Sequence, residues 1–184
     1  MKKRRVLSLL SILSLSFFIS MPASAERYDD NYANDRAAII DLQGRYVLAM
    51  DFQDAEGYAA VFTEDAELDW AGGVIEGRDA IYNFMNRGTY NPASDSIGEE
   101  WPAASRHFIT NQVITVYGDT AKAVTYWLQA NNNEDRSTMV WALYGHYEDE
   151  LEKIDGEWLF SRRAIYNEGI EGRHRAGTAN PVPK

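Results

Sequence analysis

Arg106-His107-Phe108-Ile109-Thr110-Asn111-Gln112-Val113-Ile114-Thr115-Val116-Tyr117 is the segment on which the fold turns. It is rich in β-branched and aromatic residues, and its side chains alternate with the two-residue period of a strand. The same pattern returns over Thr120–Asn131, Ser137–Lys153 and Glu157–Asn167. Gly118-Asp119 and Asp155-Gly156 are tight-hairpin signals, and the polar join Asn131–Arg136 reads as an exposed hairpin tip. Four long strands joined this way predict an antiparallel sheet.

Upstream the rhythm is helical. Asn34 or Asp35 can cap a helix running to about Met50, with Ile39, Leu42, Tyr46 and Met50 as its apolar stripe. Asp54 can cap a short second helix that turns Tyr58, Val61 and Phe62 inward and ends at Thr63-Glu64-Asp65. Ala66–Trp70 reads as a short strand, Gly72-Gly73 as a turn, and 78–86 as a third helix burying Ile81, Phe84 and Met85. Helices first and strands after predict an α+β fold with the helices on one face of a curved sheet. Residues 87–104 are aperiodic and contain Pro92, Gly98 and Pro102. So long a loop before the His107 strand is expected to act as a lid, with Tyr90 and Trp101 as ligand contacts.

Composition excludes several functions. The chain has 184 residues and no cysteine, so it is neither a disulfide scaffold nor a thiol enzyme. The net charge of −10 disfavours nucleic acid, which needs basic stripes to displace counterions. There is no GxGxxG, P-loop or GxSxG motif and no internal repeat. Three scattered histidines, His107, His146 and His174, lack zinc spacing, so no zinc site is expected. His146 alternates opposite Gly145 and Tyr147, which predicts that it faces outward.

The first residues read as an address. Lys2, Lys3, Arg4 and Arg5 precede the uncharged run Val6–Ile19, and Ala23-Ser24-Ala25 supplies a small-residue cleavage site. The apolar run falls short of the roughly 20 residues a spanning helix needs. The expected organisation is a signal peptide over 1–25, one domain over 26–167 and an extended tail over 168–184. The mature protein is then secreted to the periplasm without stable membrane insertion.

Several short segments occur in a telling order: Ile40-Asp41-Leu42, Arg45-Tyr46, Ala49-Met50-Asp51, Phe62-Thr63-Glu64-Asp65-Ala66, Glu76-Gly77-Arg78, Arg106–Asn111, Gly145–Leu151 and Asp155–Trp158. Together they resemble the SnoaL-like branch of the nuclear transport factor 2-like superfamily, over roughly residues 33 to 167. The characterised shapes there include scytalone dehydratase, bile-acid 7α-dehydratase and hexachlorocyclohexane dehydrochlorinase. The resemblance implies a cone-shaped α+β barrel, a bent antiparallel sheet plugged by N-terminal helices around a deep pocket. It implies lyases, isomerases or hydrolases that need no cofactor, and homodimers or homotrimers. It places functional residues at Tyr46, Asp51 and His107, with an arginine at Arg163, or at Arg162 if the register shifts by one. Where the dehydratases carry another tyrosine, this chain offers Trp70, which can donate a hydrogen bond but cannot titrate.

The residues themselves allow this chemistry. Alternation sets His107, Ile109 and Asn111 on one face. An imidazole in an apolar pocket suits a general base, although a hydrogen-bonded core histidine is the plainer reading of a lone one. Asp51 stands at the negative end of the first helix, an electrostatic cost that an imidazolium would offset. Tyr46 is by default a core aromatic whose buried hydroxyl needs a partner. A His107–Asp51 dyad with Tyr46 or Arg163 stabilising developing charge fits proton abstraction followed by elimination or isomerisation of a small, largely apolar molecule. Trp70, Asn111, Tyr90 and Trp101 would contact that molecule. The alternatives are a periplasmic protein that binds a hydrophobic small molecule without turnover, and a non-catalytic accessory subunit.

Overall fold

The computed structural model describes residues 31–87, 105–132, 137–169 and 179–182. The expected signal peptide and the expected lid with Tyr90 and Trp101 lie outside these residues. In chain order the elements are α1 (Tyr32–Asp51), α2 (Ala55–Ala60), β1 (Phe62–Trp70), β2 (Gly73–Glu76), α3 (Arg78–Asn86), β3 (Ser105–Tyr117), β4 (Thr120–Asn132), β5 (Met139–Ile154) and β6 (Glu157–Asn167). The fold is α+β. One curved, unclosed sheet of six strands, ordered β2-β1-β6-β5-β4-β3, carries the helices.

The four long strands form the antiparallel meander that their period predicts, with Trp127 opposite Gly145 and Asp149 opposite Arg163. At the β5–β6 turn Asp155 and Gly156 both take positive φ, as a type I′ hairpin requires. One pairing departs from the antiparallel expectation. The meander returns β6 alongside β1 in the same direction, so these two strands pair in parallel, with Phe62 opposite Phe160. This contact draws Thr63-Glu64-Asp65 into β1, which starts four residues earlier than the sequence pattern places it.

Two further local expectations change. Asp35 does not cap α1; the cap position is Asn31. Asp35 faces the sheet instead, where its Oδ1 accepts from Lys153 Nζ at 2.7 Å and Trp158 Nε1 at 3.0 Å. Burial opposes the Asp35 charge, but these two hydrogen bonds outweigh it and hold the carboxyl below the usual aspartate range. In β3 the register slips between Thr110 and Val113, and Asn111 takes a φ of +50°. The slip is a β-bulge, and past it the alternation changes face.

The core lies between the helices and the inner face of the sheet. Ile39, Leu42, Tyr46 and Met50 of α1 are buried there with Phe62, Leu68, Ile81, Trp127, Tyr147, Leu151 and Phe160. Complete burial of a side chain such as Leu68 or Ile81 contributes about 1.5–3 kcal/mol. The outer face is less covered: Phe108, Tyr126, Trp141 and Tyr144 are each at least half exposed.

Candidate functional site

The end of α1 and the start of β3 meet at one hydrogen-bonded pair, Asp51 and His107. Asp51 is the last residue of α1, and the chain leaves the helix through Phe52 and Gln53, the latter in the left-handed region. The Asp51 carboxylate is thereby aimed at β3. Its Oδ2 accepts the backbone N–H of His107 at 2.8 Å, and its Oδ1 lies 2.6 Å from His107 Nδ1. Both side chains are buried, at 3 % and 4 % exposure. Holding ring and main chain together fixes the imidazole in position and tautomer: Nδ1 carries the proton, and Nε2 carries the lone pair in the neutral ring.

Neighbouring contacts brace the pair. Arg106 donates to the Asp51 carbonyl at 3.3 Å and to the Ser105 carbonyl at 2.7 Å, while its guanidinium lies 4.5 Å over the Phe52 ring. Opposite His107 in register stands Gln129, which donates to Ser105 Oγ at 2.8 Å. The His107 ring centroid is 6.2 Å from that of Trp127. Trp127 stacks on Tyr147, which packs edge-on to Tyr46. Aromatic contacts thus run from the pair into the core.

Tyr46 stands in that core rather than beside the pair. Its hydroxyl meets the Tyr58 hydroxyl at 2.9 Å, and Arg163 lies 4.0 Å over its ring. Burial raises the Tyr46 phenol above its usual range, against the lowering effect of Arg163 and Tyr58, so it stays protonated and neutral. Of the two arginines left open by the sequence, Arg163 faces inward and Arg162 outward, where Arg162 pairs with Asp69 at 2.9 Å. Arg163 forms a bidentate pair with Asp149, both contacts at 2.8 Å, and also bonds Gln43. Burial opposes its charge, but the Asp149 carboxylate holds the guanidinium firmly protonated.

Of the expected ligand contacts, Trp70 is half-buried at the end of β1 against Phe84. Asn111 is not beside His107. The bulge exposes it, and it borders a cleft of about 490 Å³ with Tyr126, His146 and residues 179–182. His146 does belong to the outer face, yet it is only 4 % exposed, because Glu148 and Glu168 bond its two ring nitrogens and Tyr166 stacks on it. A second cleft, about 680 Å³, lies between α1, α2 and the β5–β6 turn. Neither cleft is lined by Asp51 or His107. Among the described residues no three His, Asp or Glu side chains are placed to share a metal ion.

Sequence reasoning missed Trp127, Gln129 and the Asp149–Gln43 partners of Arg163. The signal was present: alternation along β4 sets Ala121, Ala123, Thr125, Trp127 and Gln129 on one face, and all are buried. Trp127 Nε1 is buried with no hydrogen-bond partner among the described residues. A buried donor left unpaired costs about 1–3 kcal/mol.

Comparison with known proteins identifies the family. The SnoaL-like domain family matches residues 31–164. A protein of unknown function from Mycobacterium tuberculosis is 25 % identical with a TM-score of 0.63, over 81 % of this chain and 80 % of that one. A candidate scytalone dehydratase from Novosphingobium aromaticivorans is 24 % identical with a TM-score of 0.64, over 82 % and 99 %. ActVI-ORFA from Streptomyces coelicolor is 21 % identical with a TM-score of 0.64, over 75 % and 98 %. No protein among those of curated function matches.

Proposed function

The chain belongs to the SnoaL-like domain family, and from that premise we propose that it is a cofactor-independent lyase or isomerase acting on a small, largely apolar molecule. The observation that carries this reading is the buried Asp51–His107 pair, bonded at both the ring and the main chain. Burying a carboxylate at the negative end of a helix is costly. A protein that only holds a ligand has no need of that arrangement, whereas a general base does.

In the proposed reaction His107 Nε2 takes a proton from a carbon next to a carbonyl group. The C–H electron pair moves toward the carbonyl, and Asp51 stabilises the imidazolium that forms. In a dehydration the electrons then form C=C, the C–O bond to a β-hydroxyl breaks, and the departing oxygen regains the proton as water. In an isomerisation the proton returns to another carbon. Tyr46 and Arg163 support the site from within the core, through Tyr147 and Trp127, and Trp70 borders the ligand from β1.

Residues 1–25 are proposed to direct export to the periplasm and to be removed; N-terminal sequencing after Ala25 tests this. A second copy of the chain is proposed to cover the outer face, which light scattering tests.

The catalytic reading is tested with 4-hydroxy-4-phenylbutan-2-one, a β-hydroxy ketone whose dehydration gives an ultraviolet-absorbing enone. Turnover by the wild type, falling about 10²–10⁴-fold in His107→Gln, supports it. Tight binding without turnover, unchanged by His107→Gln, replaces it with the binding-protein reading.

A further inference from the structure

One donor left unused beside His107 is the indole of Trp127. Its Nε1 is buried and has no hydrogen-bond partner among the described residues. Indole N–H groups in protein interiors are normally paired, so an orphan asks for a reason. Packing alone does not supply one, because the ring is held where it is by the whole sheet. Trp127 faces Gly145 across the β4–β5 ladder. A Cβ on Gly145 would stand 3.0 Å from Trp127 Cζ2 and 1.9 Å from the Tyr166 carbonyl oxygen, so only glycine leaves this space to the indole. Tyr147 stacks on the ring at 5.9 Å between centroids with planes 19° apart. Sheet, glycine and tyrosine therefore fix the indole, and His107 is its neighbour at 6.2 Å between ring centroids.

A fixed N–H beside a fixed base has a specific use. When a base removes a proton from carbon, negative charge gathers on the adjacent carbonyl oxygen, and a preorganised donor at that oxygen stabilises it. The oxygen is two bonds from the carbon that loses its proton, so base and donor must be close neighbours on one wall. His107 and Trp127 are neighbours on the inner face, on adjacent strands. Resting on the proposed proton abstraction by His107, we infer that Trp127 is a specificity-determining residue whose indole N–H donates to a carbonyl or enolate oxygen of the substrate. The substrate class is then narrowed to carbon acids bearing such an oxygen, and pure hydrocarbons and halocarbons are excluded.

The experiment uses 1-indanone and its deoxygenated counterpart indane with the full chain. The Trp127 indole resonance in a ¹H–¹⁵N spectrum is identified by its loss in Trp127→Phe, which keeps an aromatic ring and removes the donor. On adding 1-indanone that resonance moves downfield, and on adding indane it does not. Trp127→Phe weakens 1-indanone binding about 10-fold, the worth of one well-placed hydrogen bond, and leaves indane binding unchanged. An unmoved resonance with 1-indanone overturns the inference, as does unchanged 1-indanone affinity in Trp127→Phe. If the variant fails to fold, the resonance is identified in the wild type by its nuclear Overhauser contacts to the stacked Tyr147 ring, and the test stands. Failure here is separable from failure of the proposed function. A moving Trp127 resonance with turnover indifferent to His107→Gln sinks the proton abstraction, while His107-dependent turnover with an unmoved resonance sinks only the role of Trp127.

Discussion

Replacing Asp51 by asparagine keeps the shape of the side chain and changes one acceptor oxygen into a donor NH₂. In the structure both carboxylate oxygens are used, Oδ2 by the His107 backbone N–H at 2.8 Å and Oδ1 by Nδ1 at 2.6 Å. The backbone N–H can only donate, so the asparagine oxygen must stay with it. The new NH₂ then faces Nδ1 and donates to it, which moves the ring proton to Nε2. The base has lost its lone pair at the working nitrogen and its charge partner together. Loss of a general base costs about 10²–10⁴-fold, and the wrong tautomer alone reaches the upper end of that range in other His–Asp systems. Stability behaves differently. Two hydrogen bonds survive, and removing a negative charge from the end of α1 relieves about 0.3–1 kcal/mol. The melting temperature of Asp51→Asn is therefore expected within about 4 °C of wild type. The assays are turnover, a thermal melt and the ¹⁵N spectrum of the imidazole. A protein that melts far lower, or one that keeps Nε2 unprotonated and its full activity, refutes the reasoning.

Breaking the buried Arg163–Asp149 pair by Arg163→Met leaves Asp149 uncompensated at zero exposure; urea unfolding should show a loss of about 3–5 kcal/mol, with Arg163→Met/Asp149→Leu recovering part of it. Asp35 contributes stability above its unfolded value near 3.8 that is lost as pH falls through its lower folded value. The stability gap between wild type and Asp35→Asn, measured by melts across pH, should therefore be full at neutral pH and close in acid. Tyr46 has the opposite sign, since its raised phenol stays protonated while the unfolded one ionises above about pH 10; alkaline melts of Tyr46→Phe should fall less steeply than those of wild type. Gly145→Ala puts a methyl against the Tyr166 carbonyl and should lower the melting temperature and disturb the Trp127 indole resonance.

What the sequence made legible was periodic. The α1 stripe and the four long strands come from local spacing, and each is stabilised by the face it buries. What it left illegible depends on partners far along the chain. Nothing near Phe62 announces a parallel partner at Phe160. Asn111 was assigned to the wrong face because a bulge adds a residue that alternation does not count. Asp35 resembles a cap until Lys153 and Trp158 arrive from β5 and β6. His146 faces outward as expected but is covered by Glu168, a residue 22 positions away. Asp51 and His107, 56 positions apart, were singled out through the family resemblance, since no spacing rule links a helix end to the start of a strand. Trp127 went unremarked because a buried tryptophan on a strand is usually just packing, and its unpartnered Nε1 separates it from Trp158, the other buried tryptophan among the described residues, whose Nε1 donates to Asp35.

The most direct test of His107 as the base is deuterium incorporation at the acidic carbon of 1-indanone in D₂O, followed by NMR for wild type and His107→Gln. Wild type should exchange those protons well above the buffer rate, and His107→Gln should do so about 10²–10⁴-fold more slowly. Equal exchange in the two proteins, or none above buffer in a wild type that binds the ketone, would contradict the assignment of His107 Nε2 as the group that removes the proton.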